Sequence, residues 1–193
     1  EFEYRLEALK IILFYRLNFP ELILAAANDN NDSIAILGIE CAMFLDTDTR
    51  IILIKNCFAK NKPEYLPHLL PILFANPESG KPYIRKMLFH DNLNVRFTAY
   101  KYLINAAPAL FELVCLGLFD EDVNISRFVL SKYYLYGEQG NELIYYALKS
   151  EKKSVVDYAK TIMKNSDKIS RNQSAENSGI KIEKKMPNSN IWR

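Results

Sequence analysis

The chain has 193 residues, of which 49% are apolar and only 6 are glycine, with a net charge of +2. That length makes one ordinary domain with room for a substantial core, and the low glycine content suits helices. The charge is uneven, because the stretch from Ser166 onward carries +3 and leaves −1 for residues 1–165; a near-neutral body offers no general field for a polyanion.

Taken in order, Phe2 to Leu17 reads as a helix, with Leu6, Leu9, Leu13 and Leu17 on or near one side. Its apolar part, Ala8 to Leu17, contains Lys10 and Arg16 and is too short and too charged for a membrane span or a signal peptide. Pro20 opens a second helix through Ala27, since a first-turn proline gives up an amide that has no partner anyway. After the polar loop 28–32, Ser33 or Asp32 is expected to cap a helix running to Leu45. Thr47 to Lys60 follows, capped by Thr47 or Asp48. The segment opened by Pro63 carries Pro67 and Pro71 and is expected to start late or kink. Asn76-Pro77-Glu78-Ser79-Gly80 reads as a turn before a helix from Lys81 to His90, with Pro82 in its first turn.

From Asp91 to Met163 the sequence repeats at thirty residues. Asp91-Asn92-Leu93-Asn94-Val95 aligns with Glu121-Asp122-Val123-Asn124-Ile125 and with Glu151-Lys152-Lys153-Ser154-Val155. Asn94, Asn124 and Ser154 are the expected N-caps. Behind them Thr98, Phe128 and Tyr158 share a column, as do Ala99, Val129 and Ala159, and then Leu103, Tyr133 and Met163; these are one face of a helix. An earlier copy at Ser33-Ile34 lies 61 residues upstream, near two periods. The expected helices are Asn94–Asn105, Pro108–Phe119, Asn124–Tyr136, Asn141–Lys149 and Ser154–Lys164, with short links at 106–108 and 137–140 that make neighbours antiparallel. Units of this length, each unable to bury its apolar side alone, imply a stacked solenoid of four to five helix pairs. The polar, basic stretch 166–193 is set apart from the repeat domain 1–165 as a weakly ordered tail, with Ile180, Ile182 and Trp192 as its anchors if it docks.

No catalytic constellation emerges. His68 and His90 lack an HExxH frame or a cysteine pair, so structural roles are expected. Cys41, Cys57 and Cys115 form no CxxC pair and lie in apolar stretches, which points to core thiols and a reduced, intracellular chain: cytoplasmic, with the nucleus as alternative. Asp46 and Asp48 flank Thr47 at a helix junction, where capping is their ordinary use. Gly80-Lys81 ends like a phosphate loop, but Pro82 takes the place of the hydroxyl residue. No cofactor and no metal is expected. Two surface sets remain. Lys149, Lys152, Lys153, Lys160 and Lys164 with Arg96 are the candidates for a polyanion. Tyr100, Tyr102, Tyr134, Tyr136 and Tyr146 are the candidates for a protein partner, since the repeats hold more tyrosine than a thin core needs.

Residues 94–103, Asn-Val-Arg-Phe-Thr-Ala-Tyr-Lys-Tyr-Leu, resemble the first helix of a HEAT-type repeat: Asp91 and Val95-Arg96 match its acidic and valine-arginine positions, Ala99 and Leu103 its packing positions. The Pro108-initiated stretch to Val114 is similar to the second helix, while Ser126 and Val156 depart from the pattern at the Arg96 column. This resemblance implies a HEAT/armadillo-like fold, an all-α right-handed superhelix of antiparallel helix pairs. It also implies a non-catalytic scaffold or adaptor that grips a protein or a subunit of an assembly. Nucleic-acid binding is the alternative. A DNA-glycosylase-like activity, known among a minority of such folds, ranks below it, because the body lacks positive charge and the single Trp is Trp192 in the tail.

Overall fold

A computed structural model describes residues 2–106 and 110–177, with side chains for 2–105 and 110–165. The described residues form helices and no strands. In order they are α1 (Phe2–Tyr15), α2 (Pro20–Ala27), α3 (Asp32–Cys41), α4 (Thr47–Lys60), α5 (Leu70–Ala75), α6 (Pro77–Leu88), α7 (Leu93–Ala106), α8 (Phe111–Leu116), α9 (Val123–Ser131), α10 (Glu138–Leu148) and α11 (Lys153–Asn177). No described helix is long and apolar enough to cross a membrane.

Consecutive helices pack against each other, α2 on α3, α5 on α6 and α10 on α11, and contacts also join alternate elements: α1 with α3, α7 with α9, and α9 with α11. This all-α array is consistent with a helical solenoid. One apolar core runs through it from Leu9 to Ile162. Side chains 25 to 31 residues apart touch between neighbouring helices, as when the Phe58 and Tyr83 rings lie 5.1 Å apart and those of Phe97 and Phe128 5.0 Å apart.

Helix starts recur because one turn recurs. The side chains of Asp29, His90, Asp120 and Ser150 each accept a hydrogen bond from the amide two residues on, at Asn31, Asn92, Asp122 and Lys152. In the first three turns that second residue then caps the helix. Asn31 Oδ1 accepts from Ser33 and Ile34, Asn92 Oδ1 from Asn94 and Val95, and Asp122 Oδ1 from Asn124 and Ile125. The caps therefore sit upstream of the residues expected from sequence, Ser33 or Asp32, Asn94 and Asn124. An Asx oxygen reaches the amides two and three residues beyond it, and the preceding turn aims it there. Asp46 likewise caps α4 through the Thr49 amide, in place of Thr47 or Asp48.

Two expected links are helix instead. Asn76–Gly80 is the first turn of α6, with Pro77 at its start and Pro82 inside the helix, and α10 begins at Glu138, leaving Gly137 as its N-cap with φ of 54°. The cause is shared: a Cβ on Gly80 would fall 2.1 Å from the Leu73 carbonyl oxygen, and one on Gly140 2.2 Å from that of Tyr133. These glycines are the contact points of tightly packed first turns. Pro67 and Pro71 fall early in a 3₁₀ turn (Leu66–Leu69) and in α5, so the proline-rich segment becomes two short elements. The helices expected to reach Leu45, Phe119 and Tyr136 tighten into 3₁₀ turns at Ala42–Phe44, Gly117–Phe119 and Tyr133–Tyr136. At the other end α11 continues past Ser166 to Asn177. The expected start at Pro108 and the anchors Ile180, Ile182 and Trp192 lie outside the described residues.

Candidate functional site

Of the five tyrosines expected to meet a protein, two are core residues. Tyr100 is 1% exposed, with its ring against Gly117, and Tyr136 is 8% exposed and packs on Phe111 with ring centroids 5.2 Å apart. Burial raises both phenol pKa values, that of Tyr136 to about 12. Tyr102 is half-buried against Phe74. Tyr134 and Tyr146 are exposed, each edge-on to its neighbour, Tyr133 and Tyr145. The column of a helix decides this outcome, and a count of tyrosines does not contain it.

Arg96 also leaves the surface set. It is buried, and its guanidinium is fully engaged. Nε and Nη2 donate to the two Asp120 oxygens at 3.1 and 3.3 Å, Nη1 donates to the His90 and Asp91 carbonyls at 2.8 and 3.1 Å, and Nη2 reaches Glu121 at 2.7 Å. No donor is left for a phosphate. Instead the residue clamps α7 to the turn that follows α8. Among the lysines, Lys153, Lys160 and Lys164 are exposed on α11, Lys149 lies 4.0 Å over the Tyr145 ring, and Lys152 is half-buried. Asp157 falls between Lys153 and Lys160 on the same helical face and divides the cluster.

The histidines and thiols have local partners or are buried. His68 Nδ1 lies 2.9 Å from Glu40. His90 accepts the Asn92 amide at Nδ1, which puts its proton on Nε2, facing Asn61 Oδ1 at 3.2 Å. Burial pushes the Cys41, Cys57 and Cys115 thiols up to about 11, so little thiolate forms near neutrality. Among the described residues no three His, Cys, Asp or Glu side chains gather as metal ligands do.

A surface that sequence reasoning missed lies on the second helices of the pairs. α4, α6, α8 and α10 leave the same four columns at least partly accessible: Ile52, Lys55, Asn56 and Ala59; then Pro82, Arg85, Lys86 and Phe89; then Glu112, Cys115, Leu116 and Phe119; then Glu142, Tyr145, Tyr146 and Lys149. Columns three and four residues apart share one helical side, and the cleft lined by both Phe89 and Phe119 joins the α6 and α8 rows into one face. Its large rings are well exposed, Phe89 at 61%, Phe119 at 58% and Tyr145 at 55%. The α4 and α6 rows are basic, while α8 and α10 contribute acids beside the aromatics. Lys81 ties the helices together by pairing with Glu112 and holds that carboxyl below its ordinary pKa. Between Phe89 and Phe119 a cleft of about 260 Å³ descends to the Arg96–Asp120 pair and Tyr100, with Asp91 and Glu121 at its mouth. The thirty-residue register was the available signal, had it been followed along the second helices as well as the first. Comparisons with protein-family models, with curated proteins and with solved structures find no match to this chain.

Proposed function

We propose that the chain is a non-catalytic HEAT-type module, a right-handed stack of helix pairs, that binds another protein across the outward face of its second helices. The observation that carries this reading is the group of exposed rings along this side: Phe89 and Phe119, thirty residues apart and just past the ends of α6 and α8, and Tyr145 and Tyr146 on α10. Aromatic side chains set in a rigid face supply most of the affinity of protein interfaces, because they bury much area while losing little rotamer entropy. The Arg96–Asp120 clamp supports the HEAT-type reading, since it joins adjacent units through the arginine column that the resemblance singled out. Lys55, Arg85 and Lys86 at one end, with Glu112 and Glu142 at the other, give the face a charge direction that orients a bound segment.

The test is capture of a partner from the source cell, followed by affinity measurement with the purified pair. Phe119→Ser and Tyr145→Ser are expected to weaken binding by about thirtyfold each, while Tyr134→Ser, exposed off this face, leaves it within about twofold. All three variants should unfold within about 0.5 kcal/mol of the parent. A partner indifferent to Phe119 and Tyr145 overturns the proposal. So does tight binding of duplex DNA or RNA at physiological salt that depends on Lys153, Lys160 and Lys164.

A further inference from the structure

Between Phe89 and Phe119 the proposed binding face gains depth, in the cleft of about 260 Å³ whose lining includes Arg96, Asp120 and Tyr100. Three features of that lining select a guest. The first is charge. Asp91, Asp120 and Glu121 set three carboxylates against the single guanidinium of Arg96, and His90 uses its Nδ1 lone pair on the Asn92 amide. All five Arg96 N–H groups are engaged, so an anion entering here would meet carboxylates and find no donor. A cation meets the opposite situation. Glu121 reaches Arg96 through Oε1 with its side chain still 77% exposed, and Asp91 is held through its carbonyl, which leaves its carboxylate without a partner among the described residues.

The second feature is the walls. Phe89 and Phe119 are both well exposed; Arg85 already lies 5.9 Å from the Phe89 ring centroid, whereas no cation stands over Phe119 among the described residues. The third is Tyr100. It is 1% exposed yet lines the cleft, and its hydroxyl has no hydrogen-bond partner among the described residues. Burial and the Asp120 charge raise its pKa, so the phenol stays protonated and keeps a lone pair for an incoming N–H. A buried hydroxyl left in that state is costly until something reaches it.

We infer that the cleft receives an arginine side chain of the bound protein. The inference rests on the protein-binding reading above and names what the partner must carry. A guanidinium is planar and stacks on a phenyl ring, here Phe119, while its fork of donors suits the Asp91 and Glu121 carboxylates and the Tyr100 oxygen. Lysine would bring the charge without the plane. Repulsion from Arg96 is small, because Asp120 neutralises it through both oxygens. Size agrees as well: small-molecule sites run to about 300–1,000 Å³, and this cleft is below that range, with room for one long side chain.

The probe is a capped tripeptide, acetyl-Gly-Arg-Gly-amide, titrated into the full chain labelled with nitrogen-15 and followed through amide chemical shifts. Its control carries citrulline, which keeps the shape of arginine and loses the charge. Shifts centred on residues 88–91 and 119–121 are expected, with a Kd on the order of 1–10 mM and at least about tenfold weaker binding of the citrulline peptide. Asp91→Asn with Glu121→Gln should weaken the arginine peptide about tenfold, and Tyr100→Phe, which removes only the hydroxyl, about threefold. Asp91→Asn alone, at an exposed residue, should leave Tm unchanged and still weaken the peptide about threefold. No shift at about 50 mM peptide overturns the inference, as does citrulline binding as tightly as arginine or shifts that avoid the cleft. A captured partner separates this claim from the broader one. Binding weakened by Tyr145→Ser but untouched by the Asp91→Asn, Glu121→Gln double variant removes the arginine and leaves the face. A partner indifferent to Phe119 and Tyr145 removes the face itself, whatever the peptide does.

Discussion

Arg96 illustrates how a residue type can be read correctly as special and wrongly as available. Its position in the repeat pattern was legible, but its use depends on Asp120, a residue outside the motif that matched. With side-chain exposures of 6% and 3%, the two are desolvated together, and each is tolerable only because the other is there. Arg96→Met should therefore cost about 3–5 kcal/mol, since it strands a buried carboxylate and frees the His90 and Asp91 carbonyls. Arg96→Met combined with Asp120→Asn should recover part of that loss, the amide keeping its oxygen on the Asp122 N–H. Urea unfolding of the two variants beside the parent measures both numbers. A double variant no better than the single would mean that the carbonyl contacts, and not the ion pair, hold the turn.

At the scale of elements, most helices were legible, and the boundaries that moved did so through turns, prolines and close backbone contacts. Pro20–Ala27 and Thr47–Lys60 match the expected spans, the first because proline is tolerated only in a first turn and the second because the Asp46 side chain caps it. Asn76–Gly80 was misread because proline, serine and glycine in succession are the composition of a turn. What makes them a first helical turn is the Leu73 backbone lying where a side chain on Gly80 would be, with the parallel arrangement of Gly140 and Tyr133 two periods later. Glycine inside an exposed helix normally weakens it by about 1 kcal/mol relative to alanine. At these two sites the sign reverses: Gly80→Ala and Gly140→Ala should each destabilise by about 1–3 kcal/mol, because the added methyl meets backbone that cannot rotate away. Thermal unfolding settles the sign directly.

Across the whole molecule, the worth of one motif is set by its place in the stack. The Arg5–Asp29 and Arg96–Asp120 pairs share their spacing, and Asp29 and Asp120 each also hold the amide two residues on, but Arg5 uses Nη1 alone where Arg96 uses Nε and Nη2. Arg5, on α1, has its side chain 54% exposed. Arg5→Ala should cost no more than about 1 kcal/mol, against several for the buried Arg96–Asp120 pair. Equal costs would show that solvent reaches both turns alike.

The sequence by itself determined the helices and their period, since alternating apolar columns, first-turn prolines and Asx residues act within one turn of the chain. The recurrence of exposed columns on α4, α6, α8 and α10 was written there too, although degenerate in residue type. Only the tertiary structure decided which tyrosines are core, where Arg96 spends its donors, and which glycines meet neighbouring backbone. Those outcomes depend on contacts between units about thirty residues apart, and burial is a property of what lies across the interface, which no local pattern carries.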